Sequence, residues 1–347
     1  MTASPATLRS RPCALCHVCG GPGETLYQGL TDRLFGVGGR WDIKACANPA
    51  CGLLWLDPMP LSEDLSQAYD TYHTHADGDE GPDSGLRRIY RWAREGYLAM
   101  HYNYPCDSIG KRILGLGLSL FPGRAEDAAF CAMYLPAKPG GRLLEVGCGT
   151  GQMLLTMKNL DWAVEGVDFD PEAVKNAGLK GLGVRLGELS QQGYEDGEFD
   201  AIFMSHVIEH VPDPQALLNE CFRLLKAGGR LVVVTPNGAS WGRRLYGPDW
   251  RGMEPPRHLH IFTPAALSAV ARRAGFAGAR ARSSARARGM FMASELLRRM
   301  NGSRPAQRPG LGLKLWAEVM EMLEWMRLFR DPDAGEEVVL VAQRGSA

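Results

Sequence analysis

The segment LLEVGCGTGQML, residues 143–154, constrains the fold of this chain more than any other. An acid, Glu145, and three glycines, Gly147, Gly149 and Gly151, lie between a strand-like apolar run and a helix-like run. Glycines allow a ligand to approach the backbone closely. In an open α/β sheet, ligands bind in the crevice at the carboxyl end of such a strand. The segment therefore predicts a strand, a ligand-binding turn and a helix.

Short apolar runs alternate with helix-like segments from Gly140 onward. The strand-like runs are RLLEVG, AVEGVD, FDAIFMS, RLVVVTPN and, near the end of the chain, EEVVLVAQR. Such alternation is typical of parallel strands joined by crossover helices. We therefore predict a doubly wound α/β fold for this part of the chain.

The length of 347 residues exceeds what one hydrophobic core usually serves. We assign residues 1–60 to a cysteine-rich metal module, 61–139 to a helical connector or cap, and 140–347 to the α/β domain, with a helical insertion at about 290–330. Charged residues make up 22% of the chain and the formal net charge is zero, which is typical of a globular protein rather than of one that binds polyanions.

Four cysteines near the N-terminus have the spacing of a zinc site. Two residues separate Cys16 from Cys19, four separate Cys46 from Cys51, and 26 lie between the pairs. Such spacing is typical of a structural Zn²⁺ held by four thiolates, which leave no coordination position open for chemistry. Cys13 is a competing ligand, and a reduced, metal-free site is the alternative.

A carboxylate follows the second predicted strand. Asp168 ends the run AVEGVD, seventeen residues beyond Gly151, where it is suited to bind both hydroxyls of a ribose. A nicotinamide dinucleotide site is the alternative for the glycine loop, but that motif requires a third glycine where Gln152 stands. The register of the glycines therefore argues against a nicotinamide cofactor.

Four motifs carry a family resemblance: EVGCGTG, GVDFDPEAV, FDAIFMSHVIEHVPDP and LLKAGGRLVVVTPN. In this order, over about two hundred residues, they resemble the class I S-adenosylmethionine-dependent methyltransferases. The resemblance implies a Rossmann-like sheet of seven strands and S-adenosylmethionine as the cofactor. The cofactor-binding residues that it implies are Glu145, Gly147, Gly149, Gly151, Asp168, Glu188 and Ser205.

The resemblance also gives these residues separate roles. Glu145 is expected near the methionine part of the cofactor, Asp168 at the ribose and Glu188 at the adenine. Glu188 stands where the family often has aspartate, and a solvated loop acid is its alternative. Ser205 and its neighbour His206 end the fourth strand and are expected to line the methyl-donor pocket.

Histidines are the candidates for removing a proton from a methyl acceptor. His206 and His210 in SHVIEH follow the fourth strand, and His258 in EPPRHLHIF follows the fifth. The alternatives for the first two are metal ligation, or a hydrogen bond from His210 to a backbone carbonyl that organises the loop. We further expect Arg257 to hold an anionic or hydroxylated acceptor and Trp250 to stack on it.

These features predict a methyltransferase that acts on a small-molecule acceptor, with oxygen as the expected methylated atom. The alternatives are a sugar C-methyltransferase, an rRNA or tRNA methyltransferase and an inactive binding protein. The segment CGLLWLDPMP resembles the metal modules of sugar C-methyltransferases. Residues 271–308 hold ten arginines, but arginine exceeds lysine 31 to 8 over the whole chain, so nucleic acid is not the expected partner.

The remaining predictions concern location and assembly. The first residues lack the apolar core of a signal peptide, and no stretch offers about 20 uncharged apolar residues, so we expect a cytoplasmic protein without a transmembrane segment. The run LKLWAEVMEMLEWMRLF is apolar most of the way round a helix, which predicts burial or a homodimer.

Overall fold

The computed structural model describes residues 8–69, 85–300 and 309–345. Elements are numbered in chain order. The strands are β1 (Ser10–Arg11), β2 (Gly23–Leu30), β3 (Trp41–Cys46), β4 (Leu54–Asp57), β5 (Met59–Pro60), β6 (Arg142–Val146), β7 (Ala163–Asp168), β8 (Val184–Leu186), β9 (Phe199–Ser205), β10 (Leu225–Pro236), β11 (His260–Ile261), β12 (Ala281–Ser284) and β13 (Glu337–Gln343). The α-helices are α1 (Gly85–Tyr102), α2 (Ile109–Leu118), α3 (Pro122–Cys131), α4 (Gln152–Lys158), α5 (Pro171–Leu179), α6 (Pro214–Leu224), α7 (Trp241–Tyr246), α8 (Pro264–Arg273), α9 (Arg288–Arg299) and α10 (Leu311–Leu328).

A seven-stranded sheet forms the centre of the C-terminal part, in the order β12-β13-β10-β9-β6-β7-β8. Strands β6 to β10 run parallel, whereas β13 pairs antiparallel with β10 and β12. The central strands are buried on both faces, as parallel strands covered by helices must be. The predicted doubly wound sheet of seven strands is therefore confirmed.

Along the chain, β7 and β8 are added to the sheet on one side of β6, whereas β9 and β10 are added on its other side, so the direction of winding changes between β6 and β9. This is the switch point at which an open α/β sheet has its crevice, at the carboxyl ends of the strands. Val146, Asp168, Ser205 and Pro236 end β6, β7, β9 and β10 at this edge. The sheet therefore brings four separate motifs of the sequence together.

The N-terminal region forms its own antiparallel sheet, in the order β11-β4-β3-β2. Strand β11 comes from the segment after β10, and its His260 and Ile261 pair with Trp55 and Leu54 of β4. Trp55 is fully buried. The cysteine-rich region and the segment after the fifth strand of the large sheet therefore fold together.

Three helices, α1 to α3, lie in the sequence between the N-terminal strands and the first strand of the large sheet. Helices α1 and α2 approach so closely that a Cβ on Gly96 would lie 1.8 Å from the backbone oxygen of Lys111. Near the end of the chain, α9 and α10 form the predicted helical insertion, and Glu321 of α10 accepts hydrogen bonds from the backbone N–H groups of Ala287 and Arg288 at the start of α9. Residues 70–84 of the predicted connector and 301–308 of the insertion lie outside the described residues. None of the described helices has the length and apolar character needed to cross a membrane.

Candidate active site

The glycine loop after β6 is shaped by three residues with positive φ: 70° at Gly147, 51° at Gly149 and 74° at Gly151. A Cβ on Gly147 would lie 2.4 Å from Val207, and one on Gly151 would lie 2.6 Å from Leu182. A Cβ on Gly149 would meet nothing within 4 Å. The outer glycines are therefore required by packing, whereas the middle one faces open space at the crevice.

Asp168 ties the cofactor loops together. Its carboxylate accepts hydrogen bonds from the backbone N–H groups of Gly149 at 2.7 Å and Asp170 at 2.9 Å. Only 7% of the residue is exposed, and this burial raises the pKa of the carboxyl group. The side chain predicted to bind a ribose therefore already fixes the glycine loop against the end of β7.

Glu145 carries a buried polar atom without a partner. The residue is 5% exposed and its Oε2 accepts no hydrogen bond from the described residues. Burial, together with the nearby charge of Asp168, raises the pKa of Glu145 well above its usual value. A ligand with a cationic amino group would satisfy this oxygen, because a buried carboxylate is stabilised by a charged donor. The loop thus fits the methionine part of S-adenosylmethionine.

Glu188 and Ser205 lie at the same edge of the sheet. Leu186 of β8 pairs with Asp168, and the exposed Glu188 follows two residues later at the turn Leu189–Gln191. Ser205, half-buried, ends β9 beside β6. The seven predicted cofactor residues therefore come from neighbouring loops, and their individual roles stay predictions.

His206 is clamped between two carboxylates. Its backbone has a φ of 55°, its Nε2 lies 3.1 Å from Glu337 Oε1, and its Nδ1 lies 3.4 Å from Glu209 Oε1. Burial of the ring opposes protonation, but the two carboxylates outweigh it and raise the pKa of His206 to about 10. A protonated imidazole donates hydrogen bonds and has no lone pair to accept a proton.

His210 and His258 form a separate pair, with ring centroids 4.7 Å apart and the planes at 74°. The Nδ1 of His210 lies 3.0 Å from the Arg257 carbonyl oxygen and 2.9 Å from the Tyr69 hydroxyl. The Nδ1 of His258 lies 2.8 Å from the Gly252 carbonyl oxygen. Burial, aided by His210, lowers the pKa of His258 to about 4, so this ring is neutral at neutral pH.

Glu209 is a site residue that the sequence analysis missed. It is fully buried, and its Oε2 accepts a hydrogen bond of 2.9 Å from the Thr235 hydroxyl at the end of β10. Burial disfavours its charge, but the surrounding histidines, His206 foremost, lower its pKa to about 2. The motif SHVIEH contains Glu209, but a helical spacing would direct its side chain away from the histidines. In the structure, His206 has a left-handed backbone and a short 3₁₀ helix, Ile208–His210, follows it. This backbone directs Glu209 toward the histidines.

The expectation that Arg257 and Trp250 hold an acceptor is not met. Both are buried. The Arg257 guanidinium donates two hydrogen bonds to Asp32, at 2.9 and 3.0 Å, and one to Glu254. The Trp250 indole N–H donates to Glu336 at 2.6 Å. These side chains therefore hold the segment after β10 in place.

Tyr69 links the histidine pair to the cofactor edge. Its hydroxyl meets His210, and its ring packs edge-on against Phe169, the residue after Asp168, at a centroid distance of 5.2 Å. The sequence carried no signal for Tyr69, because its position depends on how the N-terminal region packs against the α/β sheet. The predicted histidines thus lie in two places, with His206 beside β13 and the pair His210 and His258 beside the Tyr69 contact.

The four predicted zinc ligands come together in the N-terminal sheet. The sulfur of Cys16 lies 3.7 Å from that of Cys51, and Cys19 lies 3.3 Å from Cys46. Tetrahedral Zn²⁺ with bonds of about 2.3 Å holds its sulfurs about 3.8 Å apart, so the cluster fits the ion. The competing Cys13 instead meets His17, at 2.8 Å. The four cysteines therefore form a group suited to metal binding.

Comparison with known proteins shows which proteins this chain is similar to. Residues 125–280 match the family model described as a methyltransferase domain. Proteins from Xanthomonas oryzae pv. oryzae and Xanthomonas axonopodis pv. citri, both named ubiquinone biosynthesis O-methyltransferase, are 37% identical over 148 and 150 residues. Each match covers 39% of this chain and 62% of the relative, so the chain spans less than two thirds of the relatives' length.

Among solved structures, phosphoethanolamine N-methyltransferase 2 from Haemonchus contortus is 14% identical, with a TM-score of 0.46, over 84% of this chain and 63% of the other. Residues 125–280 therefore match a methyltransferase domain, and the strand order of the large sheet is that of the class I methyltransferase fold.

Proposed function

We propose that this protein transfers the methyl group of S-adenosylmethionine to a hydroxyl oxygen of a small molecule. The observation that carries the proposal is the crevice itself, where the partnerless Glu145 oxygen and the open face of Gly149 lie beside Asp168. The 37% identical relatives, named as O-methyltransferases, support oxygen as the acceptor atom. Because the match covers only 62% of these relatives, the acceptor molecule is tested by the experiment below.

The cofactor has one orientation that matches these side chains. Its amino group would neutralise Glu145, its ribose hydroxyls would donate to Asp168, and its adenine would lie toward Glu188. The loop of Gly147, Gly149 and Gly151 would pass under the cofactor because it carries no side chains. Ser205 would then face the methyl-donor side, next to the histidine-bearing loops.

Methyl transfer from a sulfonium is an in-line displacement, so the protein's main task is to position the acceptor. The oxygen–carbon bond forms as the carbon–sulfur bond breaks, and the acceptor hydroxyl loses its proton. His210, His258 and the carboxylate of Glu209 lie at the carboxyl ends of β9 and β10, beside the Tyr69 and Phe169 contact. We assign the activation of the hydroxyl to this group, whereas His206, between two carboxylates, would supply a positive charge.

A structural Zn²⁺ is the second part of the proposal. Cys16, Cys19, Cys46 and Cys51 would hold it, and four thiolates would leave it no open position. Its chemistry would be to fix the N-terminal sheet, which contributes β4 to the pairing with β11. The segment that carries His258 would therefore depend on the metal for its position.

The test is methyl transfer from tritium-labelled S-adenosylmethionine to separate pools of hydroxylated aromatic compounds, sugars and total RNA. We expect label in a small hydroxylated acceptor, as an ether shown by mass spectrometry, and none with the Asp168→Ala variant. Label in RNA or on a sugar carbon would select one of the alternatives. Cofactor binding without transfer to any pool would favour the inactive binding protein.

A cytoplasmic homodimer remains a proposal. Exposed apolar residues follow one face of α10 at helical spacing, and Phe329 directly after the helix continues the row: Leu311, Leu315, Val319, Met322, Met326 and Phe329. Sedimentation of the wild type and of Val319→Lys tests whether this face joins two copies, because a charge at the centre of an apolar interface disrupts it. A monomer in both samples would remove the homodimer from the account.

A further inference from the structure

Glu209, His210 and His258 form a cluster of three possible metal ligands, whereas a general base requires only one side chain. One ligand atom of each residue lies within 4.8 Å of those of the other two. Two imidazoles and one carboxylate are a ligand set that divalent transition metals use. The three residues come from two loops, after β9 and after β10, that meet where Leu259 N–H donates to the Glu209 carbonyl oxygen at 2.8 Å.

The hydrogen bonds of the two rings leave the same atom of each available. His210 and His258 both place Nδ1 against a backbone carbonyl oxygen, of Arg257 at 3.0 Å and of Gly252 at 2.8 Å. A carbonyl accepts only, so the contact with Gly252 puts the proton of His258 on Nδ1 and leaves a lone pair on Nε2. His210 has the same tautomer when the Tyr69 hydroxyl, 2.9 Å from its Nδ1, accepts from that N–H together with the Arg257 carbonyl oxygen. Metal-binding histidines are oriented in this way by the partner of their second nitrogen.

Glu209 supplies the second, independent observation. Its side chain is fully buried, its Oε2 accepts a hydrogen bond from Thr235, and its Oε1 accepts none from the part of the chain that the structure describes. The closest cationic group to Oε1 is His206 Nδ1, at 3.4 Å. This ion pair leaves Oε1 without a hydrogen bond from the described residues, so a lone pair of that oxygen is available to a metal ion.

Glu254 is the other charged group at the cluster. Its Oε2 lies 3.6 Å from His258 Nε2, but the carboxylate is already paired with Arg251 and Arg257. A full ion pair between His258 and Glu254 would require protons on both ring nitrogens. The bond to the Gly252 carbonyl oxygen accounts for one proton, on Nδ1, and leaves Nε2 as the ligand atom.

We propose that Nε2 of His210, Nε2 of His258 and the carboxylate of Glu209 bind a divalent transition-metal ion of the zinc class. Small side-chain rotations would bring the three atoms to bonds of about 2.0–2.2 Å. Three protein ligands leave at least one position open, unlike the four-cysteine group. This inference rests on the proposed methyltransferase function, to which it adds an acceptor that binds the metal through a hydroxyl group.

The bound ion would explain how the acceptor is activated. A metal lowers the pKa of a hydroxyl that binds it, so the proton leaves to water near neutral pH. The oxygen lone pair then forms the bond to the methyl carbon, and the electrons of the carbon–sulfur bond remain on the sulfur of the cofactor. The two histidines thereby act through the metal rather than by accepting the proton themselves.

The test counts metal sites with cobalt(II) as the probe. After removal of bound metal by a chelator, the full chain is reloaded with Co²⁺ and its metal content and absorption spectrum are measured. We expect two ions per chain, one with sulfur-to-cobalt charge-transfer bands and one without. His258→Ala is expected to retain the sulfur bands and lose the second ion. Its affinity for Co²⁺ at this second site should fall more than about 100-fold, because removing a ligand weakens metal binding more than removing a residue that only supports a ligand.

His101→Ala, which removes an exposed histidine on α1, is the matched control and should keep both ions. His210→Gln, at a partly exposed position, provides a second variant if His258→Ala does not fold. One ion per wild-type chain, with sulfur bands only, would overturn the proposal, and so would two ions in both histidine variants. Calorimetric binding of S-adenosylmethionine is measured on the same samples, so a failure of the proposed function shows itself as absent cofactor binding whatever the metal count.

Discussion

At the scale of single residues, Asp168 has two tasks that are usually considered separately. It is the expected ribose ligand, and it also holds the Gly149 N–H at 2.7 Å and the Asp170 N–H at 2.9 Å. Charge-assisted hydrogen bonds of this kind contribute about 1.5–3 kcal/mol each. Its removal should therefore disturb both the cofactor contact and the loop that surrounds the cofactor.

We predict that Asp168→Ala weakens S-adenosylmethionine binding by at least about 100-fold, because two ribose contacts and the fixed loop are lost together. Calorimetric titration measures the affinity. Asp161→Ala, an exposed aspartate just before the other end of β7, is the control and should bind like the wild type. An unchanged affinity in Asp168→Ala would contradict the assignment of this crevice.

The sequence was sufficient to place Glu145 within β6 and Asp168 at the end of β7, because each belongs to the apolar run of a buried strand. Their contacts with the cofactor stay predictions. The sequence was not sufficient for Glu209, whose direction depends on the left-handed backbone of His206 and the 3₁₀ turn that follows. Arg257 was misread for a related reason. Its acidic partner Asp32 lies more than two hundred positions earlier, and only the tertiary fold brings them together.

At the scale of elements, the long strands of the large sheet were easier to predict than the short segments that pack against them. The long apolar runs of β6, β9, β10 and β13 specify buried strands by themselves. The two-residue strand β11 has no such signal, because it exists only by pairing with β4. Glu324 and Glu336, buried between α10, α7 and the start of β13, were likewise not predictable, since a buried glutamate looks like a surface residue in sequence.

Glu336 should make the packing of these elements sensitive to pH. It is fully buried, and this burial raises its pKa from 4.5 to about 7 although the Trp250 N–H and the Gly242 N–H donate to it. Because the folded pKa is the higher one, the stability it contributes is complete below about pH 4.5 and is lost as the pH rises through 7. The loss amounts to about 3 kcal/mol.

The variant Glu336→Gln cannot ionise at this position. We therefore predict that, as the pH rises from 4.5 to 8, its free energy of unfolding falls by about 3 kcal/mol less than that of the wild type. Urea denaturation at several pH values measures the difference. The exposed Glu172→Gln should follow the wild type throughout. Identical pH profiles for Glu336→Gln and the wild type would show that folding does not raise the pKa of Glu336.

At the scale of the whole molecule, the N-terminal region is joined to the methyltransferase domain by buried charge. Arg257 and Asp32 are almost completely buried and form a two-pronged ion pair. The Thr263 hydroxyl also donates to the Cys51 carbonyl oxygen at 2.6 Å. Loss of the ion pair, or of the Zn²⁺ proposed at the four cysteines, should consequently affect the site at a distance, through the segment that carries His258.

Asp32→Asn should cost about 3–5 kcal/mol of unfolding free energy, because it leaves the buried Arg257 charge with Glu254 alone, a carboxylate that Arg251 shares. Urea denaturation again gives the value. Asp107→Ala, which breaks an exposed ion pair with Lys111 on α2, should change stability by less than about 1 kcal/mol. Equal effects of the two substitutions would mean that the buried pair does not join the two regions.

The central claim is that the crevice at the ends of β6 and β7 binds S-adenosylmethionine. Calorimetric titration of the purified full chain with S-adenosylmethionine and, in a separate experiment, with NAD tests it most directly. We predict micromolar binding of S-adenosylmethionine, one molecule per chain, and no heat of binding with NAD. Binding of NAD alone would contradict it and would make the glycine loop a dinucleotide site.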